Sequence, residues 1–143
     1  MKRKTCKKFL TCFFCMVLIA AMALTAVGCA ENPQTGKTPF KDGQTVGTGD
    51  TQFTLVIVDP EGKTVTLQVK TDKTILGEAL LELEIVDGEA GAYGLYIKTV
   101  NGRTLDYNTD GKFWALYEGD VMASTGADGI TITNGATYAL KAE

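Results

Sequence analysis

The residues whose spacing suggests metal chemistry are Asp106, Asn108 and Asp110, in the run Asp106-Tyr107-Asn108-Thr109-Asp110-Gly111. Alternating oxygen donors followed by a glycine form the first half of a calcium loop, which then needs a bidentate acid at its twelfth position. Tyr117 stands there, and Glu118 comes one residue late. Asp, Asn and Gly are also what a tight turn between strands requires. The run therefore reads first as a turn, with no metal ligand assigned, and calcium at Asp106, Asn108 and Asp110 stays an open alternative. Covalent catalysis has less to work with. The chain has no histidine, and Ser124 is its one serine, outside any Gly-x-Ser-x-Gly elbow and with no base near it in the sequence. Acids such as Asp106 and Asp110 could exchange protons, but acids in turns are commonly just solvated. The expectation is a non-enzymatic protein without a resident cofactor.

The densest cluster for binding chemistry runs from Lys112 to Gly126. It holds Phe113, the single tryptophan Trp114, and Tyr117, then a turn at Glu118-Gly119-Asp120 and a second apolar run ending in Thr125-Gly126. Aromatic side chains give a large contact area at small entropic cost, so such a cluster is either the centre of a core or the floor of a binding surface. Strand alternation puts Trp114 and Leu116 on one face and Phe113, Ala115 and Tyr117 on the other. A lone tryptophan in a small domain reads as core. Tyr117 and Tyr93, each with an apolar body and a polar tip, suit the rim of a site for a large, flat, amide-decorated ligand.

The N-terminus carries chemistry of another kind. Lys2, Arg3, Lys4, Lys7 and Lys8 precede an uncharged apolar run from Phe9 to Val27, which reads as a secretory signal over 1–28. Length alone also allows a membrane span. The run ends Leu24-Thr25-Ala26-Val27-Gly28-Cys29, which resembles a bacterial lipobox, with Ala26 where leucine is commonest. On that reading Cys29 is the lipidated N-terminus of the mature chain; an ordinary signal peptide or an uncleaved anchor is the alternative. Two acyl chains, at about 0.8 kcal/mol per buried methylene, attach a protein durably to the bacterial cell membrane, on its extracytoplasmic side. Cys6, Cys12 and Cys15 leave with the signal, so no disulfide framework remains. Losing five of 14 basic residues leaves nine against 17 acids, a net charge of −8, which argues against nucleic acid as a partner.

The elements that must position these residues follow in order. Residues 29–50, rich in Gly, Thr and Pro, read as a flexible tether. Residues 51–143 read as one domain. Thr51–Asp59 and Thr64–Lys70 alternate as strands across Pro60-Glu61-Gly62-Lys63, with Val65, Leu67 and Val69 inward. Ile75, Leu76, Ala79, Leu80 and Leu83 recur at helical spacing for about three turns, capped by Thr74 or Asp72. Gly77, costly inside a helix, implies close packing against the sheet. Gly88–Ala92 reads as a connection, Tyr93–Val100 as a strand, and Asn101-Gly102 as a two-residue hairpin turn. Short strands follow at Arg103–Tyr107, Phe113–Tyr117, Val121–Ser124, Ile130–Thr133 and Thr137–Lys141. Two strands, a helix and several more strands is the order of an α+β fold of the β-grasp kind, a mixed sheet with one helix packed on one face.

Four segments in register carry a family resemblance: Thr74-Ile75-Leu76-Gly77-Glu78-Ala79-Leu80; Tyr93-Gly94-Leu95 through Val100-Asn101-Gly102; Phe113-Trp114-Ala115-Leu116-Tyr117; and Thr125-Gly126-Ala127-Asp128 followed by Asn134-Gly135-Ala136-Thr137-Tyr138. Together they resemble the C-terminal β-domain of the cobalamin carriers transcobalamin and intrinsic factor, and similar bacterial lipoprotein domains. The resemblance implies a β-grasp that binds cobalamin or a related corrinoid for uptake, with Tyr93, Tyr96, Phe113, Trp114, Tyr117, Thr125, Gly126 and Asp128 around the ligand. The carriers close their site with a helical domain that has no counterpart in this sequence, so a transporter or a second binding domain would complete it. A cell-surface module for a protein or glycan is the alternative.

Overall fold

The computed structural model describes residues 38–143. The signal segment 1–28, Cys29 and residues 30–37 of the expected tether lie outside the described residues.

The chain builds its first hairpin from β2 (Thr51–Val58) and β3 (Thr64–Thr71). Phe53, Leu55 and Ile57 alternate with half-exposed neighbours, and antiparallel pairing sets Phe53 opposite Val69 and Leu55 opposite Leu67. Directly paired residues share a face, so this register gathers one apolar surface. At the turn, Asp59 Oδ1 accepts the N–H groups of Glu61 (3.0 Å) and Lys63 (2.8 Å).

The other side of β2 pairs in parallel with the last strand, β9 (Thr137–Ala142), which explains why the end of β2 is apolar on both parities. β9 then pairs antiparallel with β7 (Trp114–Glu118), and β7 with the two-residue β8 (Val121–Met122). With β1 (Thr45–Gly47) at the far edge, the order of this mixed six-stranded sheet is β1-β3-β2-β9-β7-β8. Phe53, Leu55, Leu67, Val69 and Leu140 are essentially inaccessible, and each such burial contributes roughly 1.5–3 kcal/mol.

The strand β1 corrects the expected tether, which cannot run to Asp50. Thr45–Gly47 pairs in parallel with Gln68–Lys70, Val46 is buried, and Asp42 Oδ1 accepts the Thr66 N–H at 2.7 Å. A Cβ on Gly47 would lie 2.3 Å from the Lys70 carbonyl oxygen, and one on Gly49 2.2 Å from the Thr71 carbonyl carbon. The glycines that read as flexibility instead permit close approach of two backbones.

The helix is α1 (Leu76–Glu82), two turns rather than three. Neither Thr74 nor Asp72 caps it. Its N-cap, Ile75, has no side-chain cap, and a one-residue bridge to Thr131 does the work: Leu76 N–H donates to the Ile130 carbonyl (2.9 Å) and Ile132 N–H to the Thr74 carbonyl (2.8 Å). That bridge is all that forms of the strand expected over Ile130–Thr133. Gly77 meets not the sheet but the 3-10 turn Ala127–Gly129, where an added Cβ would lie 2.8 Å from the Asp128 nitrogen. Glu84, at φ 52, follows the last helical turn, and the chain enters a strand at Val86.

A second, three-stranded antiparallel sheet, β4 (Val86–Gly91), β5 (Gly94–Val100) and β6 (Arg103–Thr104), is the main departure from expectation. Gly88–Ala92 is not a simple connection but largely strand β4, with a register shift between Asp87 and Gly88. A Cβ on Gly88 would sit 2.2 Å from the Tyr96 carbonyl oxygen. The β5–β6 hairpin turns at Asn101 (φ 49) and Gly102 (φ 80), as the dipeptide predicted. Ile85, Val86, Ile97 and Val100 join Leu76, Leu80, Phe53 and Leu140 in one core.

Candidate ligand groove between the two sheets

A groove of about 260 Å³ opens between β5 and β7, closed at one end by the segment after β8. Tyr96 from β5, Phe113 and Trp114 at the start of β7, Met122 from β8, and Thr125-Gly126 line it. No lining residue carries a formal charge. It can grip a ligand through aromatic and aliphatic contact and through backbone polar groups, and offers no ion pair.

Each wall is fixed by a specific contact. Trp114 is 5% exposed, and its Nε1–H donates to the Arg103 carbonyl at 3.1 Å, so indole and β6 hold one another. Phe113 meets Tyr107 edge to face, with ring centroids 6.4 Å apart, and exchanges both backbone hydrogen bonds with Glu143. Gly126 N–H donates to the Tyr93 carbonyl at 3.0 Å, and Asp128 Oδ1 accepts the Leu95 N–H at 2.8 Å. This double clip draws the Thr125–Asp128 segment onto the start of β5. A Cβ on Gly126 would lie 2.8 Å from both the Leu95 nitrogen and Asp128 Oδ1, and one on Gly94 (φ 105) 2.3 Å from Asp128 Oδ1. Gly126 is therefore required by backbone contact, and Gly94 by its positive φ.

Five of the eight residues expected around a ligand are thus brought together: Tyr96, Phe113, Trp114, Thr125 and Gly126. Tyr93 stands at the β4–β5 turn beside the groove, 87% exposed on a backbone pinned by Gly126. Asp128 serves as a clip, with Oδ1 spent on Leu95. Tyr117 is not among the lining residues. It pairs in register with Ala139, its hydroxyl donates to Glu143 Oε1, and Lys141 Nζ lies 4.2 Å from its ring centroid. The hydrogen bond to Glu143 holds its phenol above the ordinary tyrosine range. Met122 and Leu95 were missed. The one sequence signal for Met122 is its place beyond the Gly119 turn, in register with Tyr117.

The Asp106–Gly111 run forms a single helical turn, α2 (Tyr107–Asp110). Asp106 Oδ1 accepts the Asn108 N–H and Asp110 Oδ2 the Asp106 N–H, each at 2.8 Å, while Gly111 (φ 63) ends the turn. Both acids are engaged by backbone amides, and among the described residues no three His, Cys, Asp or Glu side chains gather as a metal-binding group.

Among the described residues, no helix is long and apolar enough to cross a membrane. No curated protein matches the chain. A solved structure from Ruminococcus gnavus ATCC 29149, provisionally described as a metal binding protein, is 29% identical with a TM-score of 0.62, over 66% of this chain and 97% of that one. Haptocorrin in complex with Cbi aligns at 18% identity and a TM-score of 0.48, over 65% of this chain and 25% of its own. Residues 72–141, which include both groove walls, match the profile of a family described as a domain of unknown function, DUF4430, and this chain shares a related fold.

Proposed function

We propose that this protein is a lipid-anchored, extracytoplasmic ligand-binding protein without enzymatic activity, whose groove between β5 and β7 takes one edge of a corrinoid or a similarly flat, amide-bearing molecule. The observation that carries this reading is the uncharged aromatic groove, in which Tyr96, Phe113 and Trp114 converge from two separate sheets. The strand order β3-β2-β9-β7-β8, with β2 and β9 parallel at its centre, supports a β-grasp scaffold. The corrinoid itself rests on the four-segment resemblance to the cobalamin carriers. An organic ligand suits the groove better than the metal in the description of the Ruminococcus protein, because no acid, histidine or cysteine lines it.

Size constrains the mode of binding. Sites that enclose a drug-sized ligand measure roughly 300–1,000 Å³, and this groove, at about 260 Å³, falls below that range. It holds an edge against exposed Tyr96 and Met122, with exposed Tyr93 at the neighbouring β4–β5 turn. A transporter or second domain then covers the other side. Titration calorimetry of the purified chain with cobalamin and with cobinamide tests the reading. Saturable heat is expected, weakened about tenfold by Tyr96→Ala; absence of heat at high micromolar ligand would count against it. Anchoring is checked separately, by incorporation of labelled fatty acid into the wild-type chain and its loss in Cys29→Ser.

One observation favours a second reading, a surface module for a protein or glycan. Tyr93 and Val121 are 87% and 72% exposed, well beyond what groove contact needs. Recovery of one specific surface partner, abolished by Tyr93→Ala and unaffected by corrinoid, would establish it.

A further inference from the structure

The sequence holds two Asn-Gly dipeptides, Asn101-Gly102 and Asn134-Gly135. In such a pair the glycine nitrogen has no side chain beside it to hinder attack on the asparagine carboxamide, the first step of spontaneous deamidation. Both glycines sit in turns at positive φ, 80° and 79°, yet the two asparagines are guarded in different ways.

Asn134 is guarded by the centre of the fold. Its Oδ1 accepts the Gln52 N–H (2.8 Å), and the Gly135 N–H, the group that would attack, donates to the Gln52 carbonyl (2.7 Å). The neighbouring Ala136 carbonyl accepts the Thr54 N–H (2.9 Å), so this turn belongs to the joint between β2 and β9, the parallel pair inside the six-stranded sheet. Freeing it requires those two strands to part.

The Asn101 side chain is guarded by a strap, Thr38–Phe40. Asn101 Oδ1 accepts the Phe40 N–H (2.7 Å) and Nδ2 donates to the Phe40 carbonyl (3.1 Å), so one carboxamide holds both backbone groups of one residue. Phe40 is only partly buried where it packs on the core, and with Pro39 it walls a cleft of about 200 Å³ that Ile57, Val100 and Trp114 also line. The next anchors along the chain are Asp42 and Gly43, both on Thr66. The strap can therefore lift with β1 still paired, a local opening far smaller than the parting of β2 from β9. Gly102 N–H, unlike that of Gly135, donates to no backbone carbonyl among the described residues.

We propose that Asn101 is a site of spontaneous deamidation gated by this strap, and that its conversion to aspartate releases the strap for good. The Gly102 nitrogen bonds to Asn101 Cγ and gives up its proton, the bond from Cγ to Nδ2 breaks, and ammonia leaves. Water then opens the cyclic imide to aspartate or isoaspartate, with no change of oxidation state. In the aspartate an oxygen replaces the Nδ2 donor, so an acceptor faces the Phe40 carbonyl where a hydrogen bond had been. The change runs one way, and it does not depend on the groove's proposed role.

The two sites fall in separate tryptic peptides, 99–103 and 113–141, so mass spectrometry of the aged chain reads each against the other. At neutral pH Asn101 should deamidate at least about tenfold faster than Asn134. Phe40→Ala, which loosens the strap, should speed Asn101 about tenfold more and leave Asn134 unchanged. Release is read by hydrogen exchange: the Phe40 amide should exchange at least about tenfold faster in Asn101→Asp than in the wild type, and likewise in Asn101→Gly, which keeps the turn but lacks the carboxamide. Asn134 converting as fast as Asn101, Phe40→Ala speeding neither site or both equally, or Phe40 protection unchanged in Asn101→Asp overturns the proposal.

Discussion

Trp114 is a wall of two clefts, and the two differ in how they are made. The groove toward β5 has no charged lining residue and is shaped by backbone contact, with Gly94 and Gly126 admitting the Thr125–Asp128 segment to the edge of β5. The cleft toward the β2–β3 turn is shaped by side chains, with four charged residues on its rim and Phe40 held down by the Asn101 carboxamide. The first is therefore vulnerable to any added atom at its glycines, and the second to changes in charge. One indole, tied to Arg103 by its Nε1–H, supports both.

The largest effect should come from removing that common wall. Trp114→Ala is expected to cost about 3–5 kcal/mol of stability, read by chemical denaturation, and to abolish binding at the groove. Trp114→Phe keeps the apolar wall and loses only the bond to Arg103, so its cost should stay near 1 kcal/mol plus that of the smaller ring. Equal losses from the two variants would mean that the hydrogen bond, not the packing, holds the clefts apart.

Next in size is Gly126→Ala. A methyl group 2.8 Å from the Leu95 nitrogen forces the segment off β5, at a cost of about 1–3 kcal/mol. Groove binding should be lost. Groove binding unchanged in this variant would contradict the contrast drawn above.

The smallest effect is a pH dependence. The hydrogen bond that Lys98 donates to Glu89 Oε1, 2.7 Å away, raises the Lys98 pKa above its ordinary value, and the bond that Tyr117 donates to Glu143 does the same for Tyr117. In each case the proton is held more tightly in the folded state, so the contribution is complete at neutral pH and fades as pH rises through the alkaline range. Denaturation midpoints should be flat near neutrality and decline at alkaline pH, less so in Tyr117→Phe. Both groups lie outside the groove lining, so ligand affinity at the groove should not follow that decline.

The same contrast governs what the sequence makes legible. Strict alternation at Val65, Leu67 and Val69 identifies β3, and Asn101-Gly102 identifies its hairpin, because both signals are local. The second sheet is hidden, because the glycines of β4 mark close approach of backbones rather than flexibility, and only the position of Tyr96 reveals it. The strand β1 is hidden for the same reason. Around the groove, residue type alone reads Trp114 as core and selects Tyr93 and Tyr117; Phe113, Trp114 and Tyr96 enter only through the family resemblance. Tyr117, of equally suitable type, pairs instead with Glu143 and Lys141, a partnership set by β9, far along the chain. Helix α1 is shorter than its periodicity suggests because Glu84 in the left-handed region stops it, a backbone choice with no signature in side-chain pattern.

The most direct test of the groove as the ligand site is backbone and indole chemical-shift mapping of the ¹⁵N-labelled chain during titration with cobinamide. The account predicts that the largest shifts fall on Leu95, Tyr96, the Trp114 Nε1–H and Gly126, with Glu61 and Lys63 still. Shifts centred on the Tyr117 and Lys141 face, or no shifts at saturating ligand, would contradict it.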